Sequence, residues 1–184
     1  MSWILSEPPE RIAVRRIWET LSAIINRDFA GDEKLADYVK RRLEGAADIL
    51  RRGLILEIRP IAKDAWLAAV LSSKASKPGP RRALMKTLNG HVVEVIRGPS
   101  PEELVHYVEI SPYTVKCTCE DSILTSSIAA RSLGSAPRRI LCKHVLAVLA
   151  KLVEEGAVDL ESSLWREALR EALLVARARL RGII

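Results

Sequence analysis

The stretch "YTVKCTCED", residues 113–121, is answered by "LCKHVLAVLA", residues 141–150. Together they hold all three cysteines and one of the three histidines of this 184-residue chain. Cys117 and Cys119 flank Thr118 at the end of "HYVEISPYTVKC", a run rich in Val, Ile, Tyr and Thr that reads as strand. In an extended chain residues i and i+2 point the same way, so the two sulfurs can converge on one point. Cys142 and His144 have the same spacing, but in a regular helix that separation lies about 200° around the axis. They converge only if Cys142 stands just before the helix "KHVLAVLAKLVEE" and His144 lies in its first turn. Pro137 and the polar "GSAPRR" precede the apolar repeat, which places the helix start there.

Two such hooks supply three sulfurs and one imidazole, the closed tetrahedral shell of a structural zinc site, and these donors suit zinc better than calcium or magnesium. One structural Zn²⁺ held by Cys117, Cys119, Cys142 and His144 is the expectation. The competing readings are a Cys119–Cys142 disulfide with a free thiol, which hyperthermophiles tolerate in the cytoplasm, and three coincidental core cysteines. Zn²⁺ with three thiolates carries a net negative charge. Lys116, Arg138, Arg139 and Lys143 stand beside the ligands in sequence to offset it, and the positive end of the following helix favours the Cys142 thiolate. With four protein ligands no position remains for a bound water, which argues against hydrolysis at this metal.

Composition sets the class. With 48% apolar and 28% charged residues the chain reads as a folded globular protein. The opening "MSWILSEPPE" lacks the basic start and apolar run of a signal peptide, and no segment has the apolar length of a membrane span. A cytoplasmic protein is expected. A net charge of +6 and a pI near 9.5 permit a polyanionic partner. Gln is absent and Asn occurs only at Asn26 and Asn89, a pattern that fits a thermophilic source and that genomic base composition also produces.

The pattern C-x-C, a variable gap, then C-x-H, with strands before and a helix after, resembles the SWIM zinc finger over roughly Arg81 to Glu155. The resemblance takes in "RRALMKTLNGHVVEVIRG", read as helix, Gly90 turn and strand. "CKHVLA" places Ala147 three residues after His144, similar to the C-x-H-x-x-A ending of the Shu-complex SWIM subunits and their archaeal relatives. This likeness implies a non-catalytic accessory protein in DNA recombination or repair, partnering a RecA-family recombinase paralogue, with DNA as a further partner. The chain has no G-x-x-x-x-G-K-[ST] phosphate loop, so any ATP chemistry would belong to that partner. A stand-alone nucleic-acid-binding regulator is the alternative, and no nucleophile or paired-carboxylate motif points to an enzyme.

Outside the finger the periodicity predicts helices over "RIAVRRIWETLSAIINRDFAG", over the segment capped by Asp32 and closed by Gly53, and over "AKDAWLAAVLSSKAS"; "LILEIRPI" reads as a short strand. The fold class is α+β, in three parts: a helical region over 1–76, the SWIM-type module with a small antiparallel sheet over 77–156, and an amphipathic helix over 157–184, with "SKPGP" at the first boundary. The 22-residue gap between the hooks is longer than most ordered loops and has a centre of small and polar residues, "SSIAARSLGSAPRR"; it reads as a contact surface or as a solvated insertion. In the last helix Trp165, Leu169, Ala172, Ala176 and Leu180 form an apolar stripe, read as core packing or as a docking surface for a partner or a second copy, with Trp165, Leu169 and Leu180 the candidate contacts. Arg166, Arg170, Arg177 and Arg181 form a second stripe, expected to pair with Glu167 and Glu171. Arg138 and Arg139, with Lys116 and Lys143, are the candidate nucleic-acid contacts. Tyr107 and Tyr113 fall in the strand pattern and read as core, and His91 and His106 fall in strands and read as structural.

Overall fold

The computed structural model describes residues 9–72, 83–88, 91–97 and 105–184, the segments at 83–88 and 91–97 by their backbone alone. In chain order the described elements are α1 (Pro9–Asp28), α2 (Glu33–Arg51), β1 (Ile55–Ala62), β2 (Ala65–Leu71), β3 (Ala83–Leu88), β4 (His91–Arg97), β5 (Val105–Ile110), β6 (Val115–Cys117), α3 (Glu120–Leu133), α4 (Lys143–Glu154) and α5 (Ser163–Leu180). The architecture is α+β. β1, β2, β5 and β6 form an antiparallel sheet in the order β1-β2-β5-β6, and β3 pairs with β4 in a separate two-stranded ribbon.

α4 is the axis of the core. Nine of its twelve residues are buried, and a helix that is apolar all round must be covered all round. α1 and α2 pack on it from one side, β5 and β6 from the other. Ala68 and Val70 of β2 and Val108 and Ile110 of β5 are buried at alternate positions, as a sheet with one covered face requires. One continuous hydrophobic cluster runs from Ala13 in α1 to Ala176 in α5.

α5 is fastened by its arginines. Arg170 lies 3.8 Å from Asp28, Arg177 donates to Asp32 at 3.0 Å, and Arg181 donates to the same carboxylate at 3.3 Å. Arg166 pairs with Glu161, and Arg170 also reaches Glu167 at 3.7 Å. The stripe therefore clips α5 onto the turn between α1 and α2, while Glu171, expected as one of its partners, is taken by Arg139.

Four expectations are corrected. The Ala-rich segment 62–76 contains strand β2, because hydrogen bonding on both edges, to β1 and to β5, outweighs the helix preference of alanine. Residues 83–88 form strand β3 where a helix was expected; Asn89-Gly90 between two β-rich runs is a hairpin signature, although those two residues lie outside the described part. "HYVEISPYTVKC" is two strands, since the Ser111 hydroxyl accepts from the Tyr113 and Thr114 N–H groups and turns the chain between β5 and β6. Most of the gap between the hooks is helix α3, ended by Gly134 at φ 75°. "SKPGP" also lies outside the described residues, and β1 and β2, within the first 76 residues, share a sheet with β5 and β6.

Candidate metal centre

The two hooks meet because the chain before the second one adds to the sheet. Val115 and Arg139 form a parallel bridge: the Val115 N–H donates to Arg138 O at 2.9 Å and the Ile140 N–H donates to Val115 O at 2.7 Å. Cys117 lies two residues beyond that bridge on one strand and Cys142 three beyond it on the other. Thr118 extends the ladder, since its N–H donates to Tyr107 O and its hydroxyl accepts from the Tyr107 N–H, both at 2.9 Å. Tyr38 of α2 donates its hydroxyl hydrogen to Leu141 O at 3.1 Å and pins the second hook from the helical side.

Each hook then ends as the cap of a helix. Cys119 is the N-cap of α3 and Cys142 the N-cap of α4, both in extended backbone. His144 falls in the first turn of α4, which lets C-x-H converge. The ligand atoms of Cys117, Cys119, Cys142 and His144 all lie within 4.8 Å of one another, and all four residues are buried. Cys117 Sγ is 3.9 Å from His144 Nδ1, and the Cys119 N–H donates to Cys117 Sγ at 3.3 Å. All three cysteines are free thiols, so no disulfide joins Cys119 to Cys142. The four residues can hold one metal ion.

Two observations fit a metal at this point. His144 turns Nδ1 toward the sulfurs, 3.9 Å from Cys117 Sγ, so the lone pair of that nitrogen is available to an ion and the ring proton would then sit on Nε2. In addition, α3 and α4 both direct their N-termini at the cluster. The Val145 N–H donates to Cys142 Sγ at 3.5 Å, and two sets of helical N–H dipoles offset the net negative charge of a three-thiolate site. Without metal, burial pushes the Cys117 and Cys142 thiols up, while Cys119 is held well below the ordinary thiol range by hydrogen bonds from those two sulfurs.

The basic residues are placed unequally. Arg138 is exposed. Arg139 is half-buried, donates to Pro112 O at 2.8 and 3.1 Å, and pairs with Glu171, so it is a structural tie. Lys116 and Lys143 are half-buried, and the Lys143 stem lies over Gly45 of α2. Trp165 and Leu169 are buried in the core and unavailable to a partner, whereas Leu180 is 37% exposed. Tyr113 is exposed.

Three contributors escape a reading of the sequence. His106 of β5, read only as structural, packs against His144 with ring centroids 4.4 Å apart and ring planes tilted by 45°. Tyr38 looks like any core aromatic. Asp121, two residues beyond Cys119, is bound by Arg42 from α2 at 2.8 Å and by Arg179 from α5 at 2.6 Å, and this holds the start of α3. Only the alternation of β5 hinted at one of these, by placing His106 on the buried face with Val108 and Ile110.

No family model, curated protein or solved structure matches the chain. Among the described residues no helix is long and apolar enough to cross a membrane.

Proposed function

We propose that this chain is a non-catalytic accessory protein whose Cys₃His centre holds one structural zinc ion, and that it acts in DNA recombination or repair through contacts with a RecA-family recombinase paralogue. The observation that carries the non-catalytic part is the burial of all four donors in one cluster. A tetrahedral shell with Zn–S bonds of about 2.3 Å places its sulfurs roughly 3.8 Å apart, so shifts of about 1 Å or less close it and leave no side open to substrate. The recombination part rests on the likeness to SWIM modules: C-x-C leaves a strand, C-x-H enters a helix, and Ala147, three residues after His144, is fully buried.

The test is capture of partners by the tagged protein from its native lysate, with and without nuclease, beside metal analysis of the purified chain. One equivalent of zinc and a RecA-like ATPase retained after nuclease are expected. Substoichiometric zinc with full stability would sink the staple, and absence of any such ATPase would sink the recombination role.

A direct nucleic-acid regulator is the second reading, favoured by the exposure of Arg138 beside the metal centre. On that reading binding to naked nucleic acid falls steeply with salt, and Arg138→Glu weakens it across sequences. Salt-insensitive or absent binding removes it.

A further inference from the structure

Helix α3 is packed inside out. Its buried residues are Ser122, Thr125 and Ala129, whereas Ile123 and Leu124 are 46% and 47% exposed. A surface helix ordinarily does the reverse. It is not a loose element either, since Asp121 in its first turn is gripped by Arg42 and Arg179. The outward face is therefore held on a firm base.

That face is complementary to itself. Glu120 and Arg131 are both exposed, and neither has an ion-pair partner among the described residues. Eleven residues separate them, about three turns of 3.6 residues, so they stand at opposite ends of one face. Two copies of α3 laid antiparallel about a two-fold axis midway between them bring Glu120 against Arg131 of the second copy. The same operation sets Leu124 against the small Ser127, which allows close approach, and leaves Ile123 and Ile128 on the two flanks of the contact.

We infer that α3 is a self-association surface, and that its occupant is α3 of a second copy of this chain in an isologous, antiparallel contact. A two-fold contact needs one patch that serves both sides. Opposite charges at the two ends satisfy that need, whereas a polyanion would meet Glu120 unfavourably. A single pair of 14-residue helices buries less than the roughly 800 Å² per partner of a standard interface. The dimer is accordingly weak and concentration-dependent. This inference does not depend on the recombination reading.

The experiment is sedimentation velocity on the full, metal-loaded chain over about 1–500 µM, the range in which a weak contact is seen. The mean mass is expected to rise from 20.4 kDa toward twice that value. Glu120→Arg and Arg131→Glu, each placing like charges together, are expected to weaken association about ten-fold or more, and the double exchange to restore it. Leu124→Glu, equally exposed in the monomer, should leave only monomer. Metal content and circular dichroism verify that each variant is folded. A wild-type chain that stays monomeric, or a double exchange that fails to restore association while both single variants weaken it, overturns the inference. Retention of a different protein on this face by a monomeric wild type also overturns it.

Discussion

Val115 and Arg139 form the parallel bridge that closes the metal centre, and the Arg139 side chain ties that bridge to its surroundings. Its guanidinium donates to Pro112 O in the β5–β6 turn and pairs with Glu171 of α5. Arg139→Ala leaves the half-buried Pro112 carbonyl and Glu171 without this partner, and is expected to lower stability by about 1–3 kcal/mol. Arg139→Lys should recover only part, because an ammonium cannot make both contacts in one plane. Urea denaturation midpoints measure the loss, and faster release of metal to a chelator should accompany it.

Removing a ligand should act on the whole core. Cys142 is at once a donor in the metal-capable cluster, the cap of α4 and a buried residue. Cys142→Ser is expected to lose the metal and melt the hooks, since structural zinc sites supply on the order of 10 kcal/mol of folding free energy. Thermal melting with parallel metal analysis decides it; a chain that loses all its metal yet melts at the same temperature speaks against the staple. Protons compete with the ion at buried sulfurs, so metal retention should weaken as pH falls.

Gly45 tests how tightly α2 seats the second hook. A Cβ at this position would stand 3.1 Å from both Cβ and Cδ of Lys143, the first residue of α4. Glycine in a helix interior ordinarily costs up to about 1 kcal/mol relative to alanine. Here Gly45→Ala should forfeit that gain, because Lys143 Cβ is fixed by the helix that carries Cys142. Gly45→Val should lower stability by about 1–3 kcal/mol through overpacking. A clear rise in melting temperature for Gly45→Ala would refute the close contact.

Asp32 gives the acid limb of stability a defined source. The Leu35 N–H, then Arg177 and Arg181, hold its carboxylate below the ordinary aspartate range. A carboxyl whose folded value is depressed stabilises fully above its unfolded value, about 3.9, and loses that contribution as pH falls through the folded value. Asp32→Ala is expected to cost about 1–2 kcal/mol at neutral pH as a lost cap. Asp32→Asn keeps the cap and loses the ion pairs, so its stability should fall less between pH 5 and the acid end (about pH 2) than the parent's. Parallel pH slopes for parent and Asp32→Asn would exclude the ion pairs as the cause.

The cluster of Cys117, Cys119, Cys142 and His144 was legible because covalent spacing limits where side chains can point. C-x-C in a strand and C-x-H across a helix start are local geometry, and the structure sets Cys142 at the N-cap as that geometry requires. α1, α2, α4 and α5 were legible from their apolar periodicity. The errors fall where local preference and long-range pairing disagree. Ala65–Leu71 reads as helix until strands on both sides claim its hydrogen bonds. α3 was hidden for the opposite reason: it packs through Ser122, Thr125 and Ala129, so no apolar stripe faces inward to announce it. The roles of Tyr38 and Asp121 depend on partners 103 and 58 residues away respectively, and no pattern within one segment encodes such contacts.

The clip between Asp32 and Arg177 spans 145 residues of chain. At a synthesis rate of about 5–20 residues per second, the carboxylate that caps α2 leaves the ribosome roughly 7–30 s before its guanidinium partner. Over much of that interval α1 and α2 have neither α4 nor α5 to cover their apolar faces, and Cys117 and Cys119 emerge about 1–5 s ahead of His144 at the same rate. The nascent chain therefore presents an unshielded helical hairpin and a half-formed thiol pair to the cell. Both are covered only once α4 and α5, residues 143–180, have emerged.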